Sequence, residues 1–159
     1  MNDYRTINTR TILHVEDLPE DVFLLKYALQ RAEIANPVQV ASDGQEAIDY
    51  LAGAGKFADR EKFPLPYLVL LDLKLPIKIG LEVLEWIRSQ PALKSLIVIV
   101  LTSSIHEGDI KRAYDLGANA FLVKPSDSKV TLDMCKAIKH FWLQHNQPPL
   151  GAHELRPVR

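Results

Sequence analysis

Five short apolar segments, each followed by a stretch with helical spacing, constrain this 159-residue chain more than any other feature. The segments are Thr11 to Val15, Val38 to Ala41, Tyr67 to Leu71, Ile97 to Leu101 and Ala120 to Val123, the second being the weakest. None alternates cleanly with polar residues. Continuous apolar runs suit strands covered on both faces, as in a parallel sheet between two helical layers. Phe23, Leu24, Ala28, Leu29 and Ala32 recur at helical spacing after the first segment. Ser42-Asp43-Gly44-Gln45 offers a capping box before Ala47, Ile48 and Leu51. Leu81, Leu84 and Ile87 mark a third helix. Ser104-Ile105-His106-Glu107 is a second capping box, before Ile110, Ala113 and Leu116, and Gly117 reads as that helix's stop. Val130, Met134, Ala137, Ile138 and Phe141 give the fifth helix. Strict βα alternation with short connections predicts an α/β fold, a doubly wound five-stranded parallel sheet. The long connection Gly53 to Pro66 reads as a surface loop. The expected organisation is an N-terminal extension over 1–10, one domain over 11–146 and a Pro-containing tail over 147–159.

Composition excludes several classes. A chain of this length buries about 70% of the surface its unfolded form exposes, so it needs no staples. The single cysteine, Cys135, rules out an internal disulfide or a Cys-cluster zinc site. Nineteen Lys and Arg against twenty Asp and Glu leave a net charge of −1, with no electrostatic footprint for nucleic acid or an anionic membrane. No apolar run reaches the roughly 18 residues of a membrane span, and Met1 to Arg5 holds no signal-peptide core. The expected setting is the cytosol.

In doubly wound sheets ligands bind beyond the carboxyl ends of the strands. There the chain places Glu16-Asp17, with Glu20 and Asp21 close behind, then Asp72, then Thr102-Ser103-Ser104, then Lys124-Pro125. Crowded carboxylates repel unless a cation relieves them. All-oxygen donors suit a hard cation such as Mg²⁺. No Gly-rich turn is present to cradle phosphate, and an acidic first loop repels a flavin or nucleotide.

The set Glu16-Asp17, Asp72-Leu73-Lys74-Leu75-Pro76, Gly80, Thr102-Ser103 and Lys124-Pro125 is similar to the motifs of the receiver domain of bacterial response regulators, the CheY-like family. The resemblance spans about Thr11 to Gln144. It implies a flavodoxin-like (βα)5 fold with strand order 2-1-3-4-5. The long loop, Leu70-Leu71-Asp72-Leu73 and the lack of an output domain resemble the single-domain regulators that serve phytochrome-type sensor kinases. The resemblance implies Asp72 as phosphoacceptor, with a sensor histidine kinase as donor. It implies Mg²⁺ held by Asp17 and Asp72, by Glu16 through water, and by the backbone carbonyl of Lys74. Thr102 and Lys124 would contact the phosphoryl group, Thr102 and Phe121 would form the switch, and Pro125 would be cis. Signal would leave through protein contacts to a downstream target, with neither nucleic acid nor membrane as partner. The surface is the fourth helix, fifth strand and fifth helix, carrying Lys111, Tyr114, Phe121, Lys139, Phe141 and Trp142, and a homodimer is expected there. Such a chain catalyses only its own phosphorylation and dephosphorylation.

Three departures stand out. Glu16 replaces the family's commoner Asp, Phe121 has no hydroxyl, and Lys74 and Ser104 occupy the positions two after Asp72 and two after Thr102. Lys74 also disfavours the alternative reading, a haloacid-dehalogenase-like phosphohydrolase, which wants a second Asp there as general acid. Other residues have ordinary readings: His14 as a hydrogen-bonded core group, His140 and His145 as solvated, Cys135 as packed or half exposed.

Overall fold

The computed structural model describes residues 9–149. Five parallel strands, β1 (Ile12–Val15), β2 (Val38–Ala41), β3 (Leu68–Leu71), β4 (Ile97–Thr102) and β5 (Ala120–Val123), form one sheet in the order β2-β1-β3-β4-β5. The helices between and after them are α1 (Pro19–Arg31), α2 (Gly44–Ala52), α3 (Gly80–Ser89), α4 (Glu107–Asp115) and α5 (Ser128–Ile138). The order reverses at β1 and β3, which opens a crevice beyond their carboxyl ends.

Side chains of a strand alternate between faces, and that alternation divides the core. Leu13, Val15, Val69, Leu71, Val98 and Val100 pack with α2 and α3, while Ile12, Leu68, Leu70, Ile97, Ile99 and Leu101 pack with α1 and α5. β1, β3 and β4 are buried along their whole length, as continuous apolar runs require. The edge strands β2 and β5 are only half-buried.

Helix faces depart from the sequence reading in two places. On α1 the buried stripe is Leu25, Ala28 and Leu29, continuing to Ala32, whereas Phe23 and Leu24 are exposed. The run Phe23-Leu24-Leu25 offers three apolar residues in a row, and only packing against α5 selects the third. On α5 the buried positions are Cys135 and Ile138, while Val130 and, just beyond the helix, Phe141 face outward. Beyond Ile138 the chain widens into a π-helix, Lys139–His145, whose wider turn ends in a 2.7 Å bond from Asn146 N–H to Phe141 O. Besides packing Leu143 and Trp142 on the α1/α5 core, the widened segment is tied to the rest of the described fold by hydrogen bonds. Tyr67 Oη donates to Trp142 O at 3.3 Å, and Lys139 Nζ donates to Ala32 O at the end of α1.

The expected capping boxes are also displaced. Asp43, not Ser42, caps α2 by accepting from Glu46 N, and Glu46 Oε2 reaches back to Ser42 N and Oγ. Ser104 does not cap α4. It is buried in the turn before that helix and donates to Asp109 Oδ2, while accepting from His106 N. Gly117, at φ +98°, ends α4 as expected. The long loop after α2 is more than surface. Its Phe57 is buried in an aromatic trio with Tyr50 and Phe63, and Arg60 donates to the carbonyls of Tyr50, Leu51 and Phe63, serving the orphan end of α2.

The turn from β3 into α3 is tight. Lys78 N donates to Pro76 O at 2.8 Å around Ile77, whose φ of +68° is the strained form of that three-residue turn. Gly80 then passes so close beneath the strand end that a Cβ there would lie 2.1 Å from Asp72 O. Gly80→Ala is therefore expected to cost on the order of 1–3 kcal/mol, read from the urea midpoint. A midpoint equal to wild type would mean that this turn yields freely.

Candidate metal centre

Alternation along the strands aims the site. Ile12 and His14 on β1, Leu68 and Leu70 on β3, and Ala120 and Leu122 on β5 share one side of the sheet. The next residues in the same phase are Glu16, Asp72 and Lys124. These three therefore leave three strands toward one point on the α1/α5 side, while Thr102 arrives from the end of β4 in the opposite phase.

Lys124 Nζ occupies that point. It donates to Glu16 Oε2 at 2.5 Å, to Asp72 Oδ2 at 2.7 Å and to Asp21 Oδ2 at 2.8 Å, using all its donors. The side chains of Glu16 and Asp72 are 0% and 6% exposed. Glu16 Oε1 also accepts from Leu18 N, and Asp72 Oδ1 from Lys74 N at 3.2 Å. The Lys74 peptide thus lies within one turn of the Asp72 carboxylate. Glu16, half-buried Asp17 and Asp72 each offer a carboxylate oxygen, all within 4.8 Å of one another. Three oxygen donors at that spacing fit a small hard cation.

The charges are unequally content. Burial pushes Glu16 up to about 7, a rise that Asp72 reinforces and the bond from Lys124 opposes. Burial would also raise Asp72, but the bonds from Lys124, Thr102 and the Lys74 N–H outweigh it and hold its carboxyl below the usual range. Burial would lower Lys124, yet Asp21, Asp72 and Glu16 together raise it. His14, behind them, is lowered to about 4 by burial and by the Lys124 charge, so it is a neutral core group. A cation must displace the proton that Glu16 holds below about pH 7. Mg²⁺ affinity is therefore expected to fall as pH drops from 7 to 5.5 and to level off above 7.5, as calorimetric titration would show. A flat profile would place Glu16 outside the cation's influence.

The residues expected at the site fall into three groups. Glu16, Asp17, Asp72, Thr102 and Lys124 converge. Phe121 is half-buried against the core on the opposite side of the sheet, one strand position from Leu122. Pro125 corrects an expectation: no peptide bond among the described residues is cis, so the Lys124–Pro125 bond is trans. Trans is the intrinsically favoured isomer of an X–Pro bond, and Lys124 reaches all three carboxylates from it. Asp21 is the residue the strand-end argument left without a role. A signal for it exists: Asp21 precedes Leu25 by one helical turn, so a carboxylate lies in line with the buried stripe of α1.

The model of the response regulator receiver domain family matches residues 12–136. The chain is 38% identical over 135 residues to the response regulator Rcp1 of Synechocystis sp., an alignment covering 85% of this chain and 90% of that one. Among solved structures it resembles the phosphorylated cyanobacterial phytochrome response regulator RcpA, with TM-score 0.82, 38% identity and coverage of 89% and 99%. It also resembles the Mn²⁺-bound form of Rcp1, with TM-score 0.79, 37% identity and the same coverage.

Proposed function

The chain belongs to the response regulator receiver domain family, and on that premise we propose that Asp72 accepts a phosphoryl group from a sensor histidine kinase. Receiver domains are signalling proteins of two-component systems rather than enzymes with a turnover substrate. The observation that carries the reading is the Lys124 ammonium lodged against Asp72 beside the carboxylates of Glu16 and Asp17. Asp72, kept ionised, presents a carboxylate oxygen as nucleophile. That oxygen bonds to phosphorus as the bond from phosphorus to the donor imidazole nitrogen breaks, and the imidazole leaves with the electron pair. Lys124 transfers N–H bonds to the phosphoryl oxygens, and the Thr102 hydroxyl turns from Asp72 to another of them. Asp17, Asp72, the Lys74 carbonyl and, through water, Glu16 would hold Mg²⁺, which when bound would supply charge neutralisation on the same oxygens. The Mn²⁺-bound relative supports a divalent cation here.

The resemblance to the phosphorylated cyanobacterial phytochrome response regulator RcpA supports a phytochrome-type kinase as donor. Output goes through α4, β5 and α5, with Tyr114 exposed on α4 and Phe141 exposed just beyond α5, and a homodimer forms on that face. Trp142 is half-buried, packed on the α1/α5 core, so Phe141 is the stronger contact of the pair. Residues 11–146 act as the receiver unit. Of the terminal segments 1–10 and 147–159, residues 1–8 and 150–159 lie outside the described residues. No helix among the described residues is long and apolar enough to cross a membrane.

Incubation with acetyl phosphate and Mg²⁺, followed by peptide mass mapping, tests the proposal. The expected product is one phosphoryl group on the peptide containing Asp72. Steady hydrolysis of the donor without an adduct would favour the phosphohydrolase reading instead.

A further inference from the structure

Of the three carboxylates that hold Lys124, Glu16 and Asp72 belong to the cation cluster, and Asp21 does not. Asp21 sits in the first turn of α1, a helix begun by Pro19 at its N-terminus. Its side chain is 32% exposed, so water still reaches it. A cation drawn to Glu16 and Asp72 competes with the ammonium for their oxygens, and phosphoryl transfer takes an Asp72 oxygen into a covalent bond. The hold of those two carboxylates on Nζ then weakens, whereas that of Asp21 does not.

Lys124 also has somewhere else to go. Lys124 itself lines a cavity of about 70 Å³, together with Glu16 and Asp21 at the site and His14, Leu101 and Met134 beyond it. That is several times the roughly 10–15 Å³ that one water needs, which is room for an ammonium at the end of a flexible four-carbon stem. We propose that Asp21 is a positioning residue for phosphoryl transfer. Its carboxylate, fixed to α1, keeps Lys124 over Asp72, rather than free to move within that cavity, while cation and phosphoryl group occupy the other two carboxylates. One N–H of Lys124 stays on Asp21, and the remaining two are released to the phosphoryl oxygens. The inference rests on the reading of Asp72 as acceptor and Lys124 as phosphoryl contact.

The experiment compares full-length wild type, Asp21→Asn and Asp21→Glu, phosphorylated by acetyl phosphate at saturating Mg²⁺, with Mg²⁺ affinity measured separately by calorimetry. Asp21→Asn keeps the shape and removes the charge. It is expected to be phosphorylated about tenfold more slowly, a modest loss on the scale of misplacing a catalytic group. Its Mg²⁺ dissociation constant should stay within about threefold, because the charge lies outside the cluster and is partly screened. Asp21→Glu should recover most of the rate, since its longer arm still carries the charge. A variant Asp21→Asn as fast as wild type, or faster, overturns the proposal and makes Asp21 a partner that draws Lys124 away from Asp72. A parallel loss of rate and of Mg²⁺ affinity overturns it too, as would failure of both variants to fold. Wild type that takes up no phosphoryl group would instead sink the reading of Asp72, a distinct result.

Discussion

Lys124→Met is expected to cost about 3 kcal/mol of stability at pH 8 in EDTA, near the lower bound for removing one partner of a buried ion pair. The substitution keeps the length of the side chain and removes the ammonium. It leaves the carboxylates of Glu16 and Asp72, 0% and 6% exposed, without the cation that now touches both. Two additions should repair the loss. Lowering the pH is one. With Lys124 gone, only the bonds from Thr102 and the Lys74 N–H to Asp72, and from the Leu18 N–H to Glu16, oppose the burial that raises both carboxyls, so both folded pKa values rise and that of Glu16 stands further above its unfolded one. The folded variant then binds more protons than the unfolded chain, and its stability rises as pH falls through those values. Mg²⁺ is the other, because it binds only the assembled cluster and stabilises by mass action. The gain from Mg²⁺ should exceed that of wild type, where the ammonium competes for the same oxygens. Urea titrations at pH 8 and pH 5.5, with EDTA and with excess Mg²⁺, give the comparison. A deficit below about 1 kcal/mol that ignores both pH and Mg²⁺ would show that Lys124 is not the counter-charge of this pocket.

Asp72→Asn is expected to abolish phosphorylation, by at least about a thousandfold in rate, since an amide oxygen is a poor nucleophile without the carboxylate's charge. Its effect on stability has a sign that the acidic cluster alone conceals. Repulsion among three carboxylates argues that removing any one relieves strain. Yet Lys124, Thr102 and the Lys74 N–H hold the Asp72 carboxyl below its usual range, so this charge is favourable in the fold. The strained member is Glu16, raised to about 7 chiefly by burial. Asp72→Asn should thus melt lower than wild type in EDTA at neutral pH, and Glu16→Gln higher. Phosphorylation is read by gel shift with acetyl phosphate and stability by thermal melts. Undiminished label in Asp72→Asn would move the acceptor elsewhere, and a higher melt would restore simple repulsion as the dominant effect.

Local pattern carried the architecture. The five apolar runs coincide with the five strands to within a residue at each end, because burial on both faces leaves a signature that no loop shares. Glu16, Asp17, Asp72, Thr102 and Lys124 were legible for a related reason. Each is a polar residue placed one or two positions after an apolar run, at the end of the sheet where this topology binds ligands. The helix faces were harder. In Phe23-Leu24-Leu25 and around Val130, Met134 and Cys135, apolar residues are dense enough that two phases of a 3.6-residue period fit equally well. Contact between α1 and α5 chose between them, burying Leu25 and Cys135 and exposing Phe23 and Val130.

The sequence by itself determined which chemical groups this protein has and at which strand ends they stand. Tertiary structure alone decided how those groups are paired. Lys124 lies 52, 103 and 108 residues from Asp72, Asp21 and Glu16, and no local pattern couples positions so far apart. The same holds for the proton affinities. Glu16 and Asp72 are both acids at strand ends, yet burial wins at one and hydrogen bonding at the other. That balance depends on ångström-scale distances and on excluded water, which exist only once the five strands are side by side.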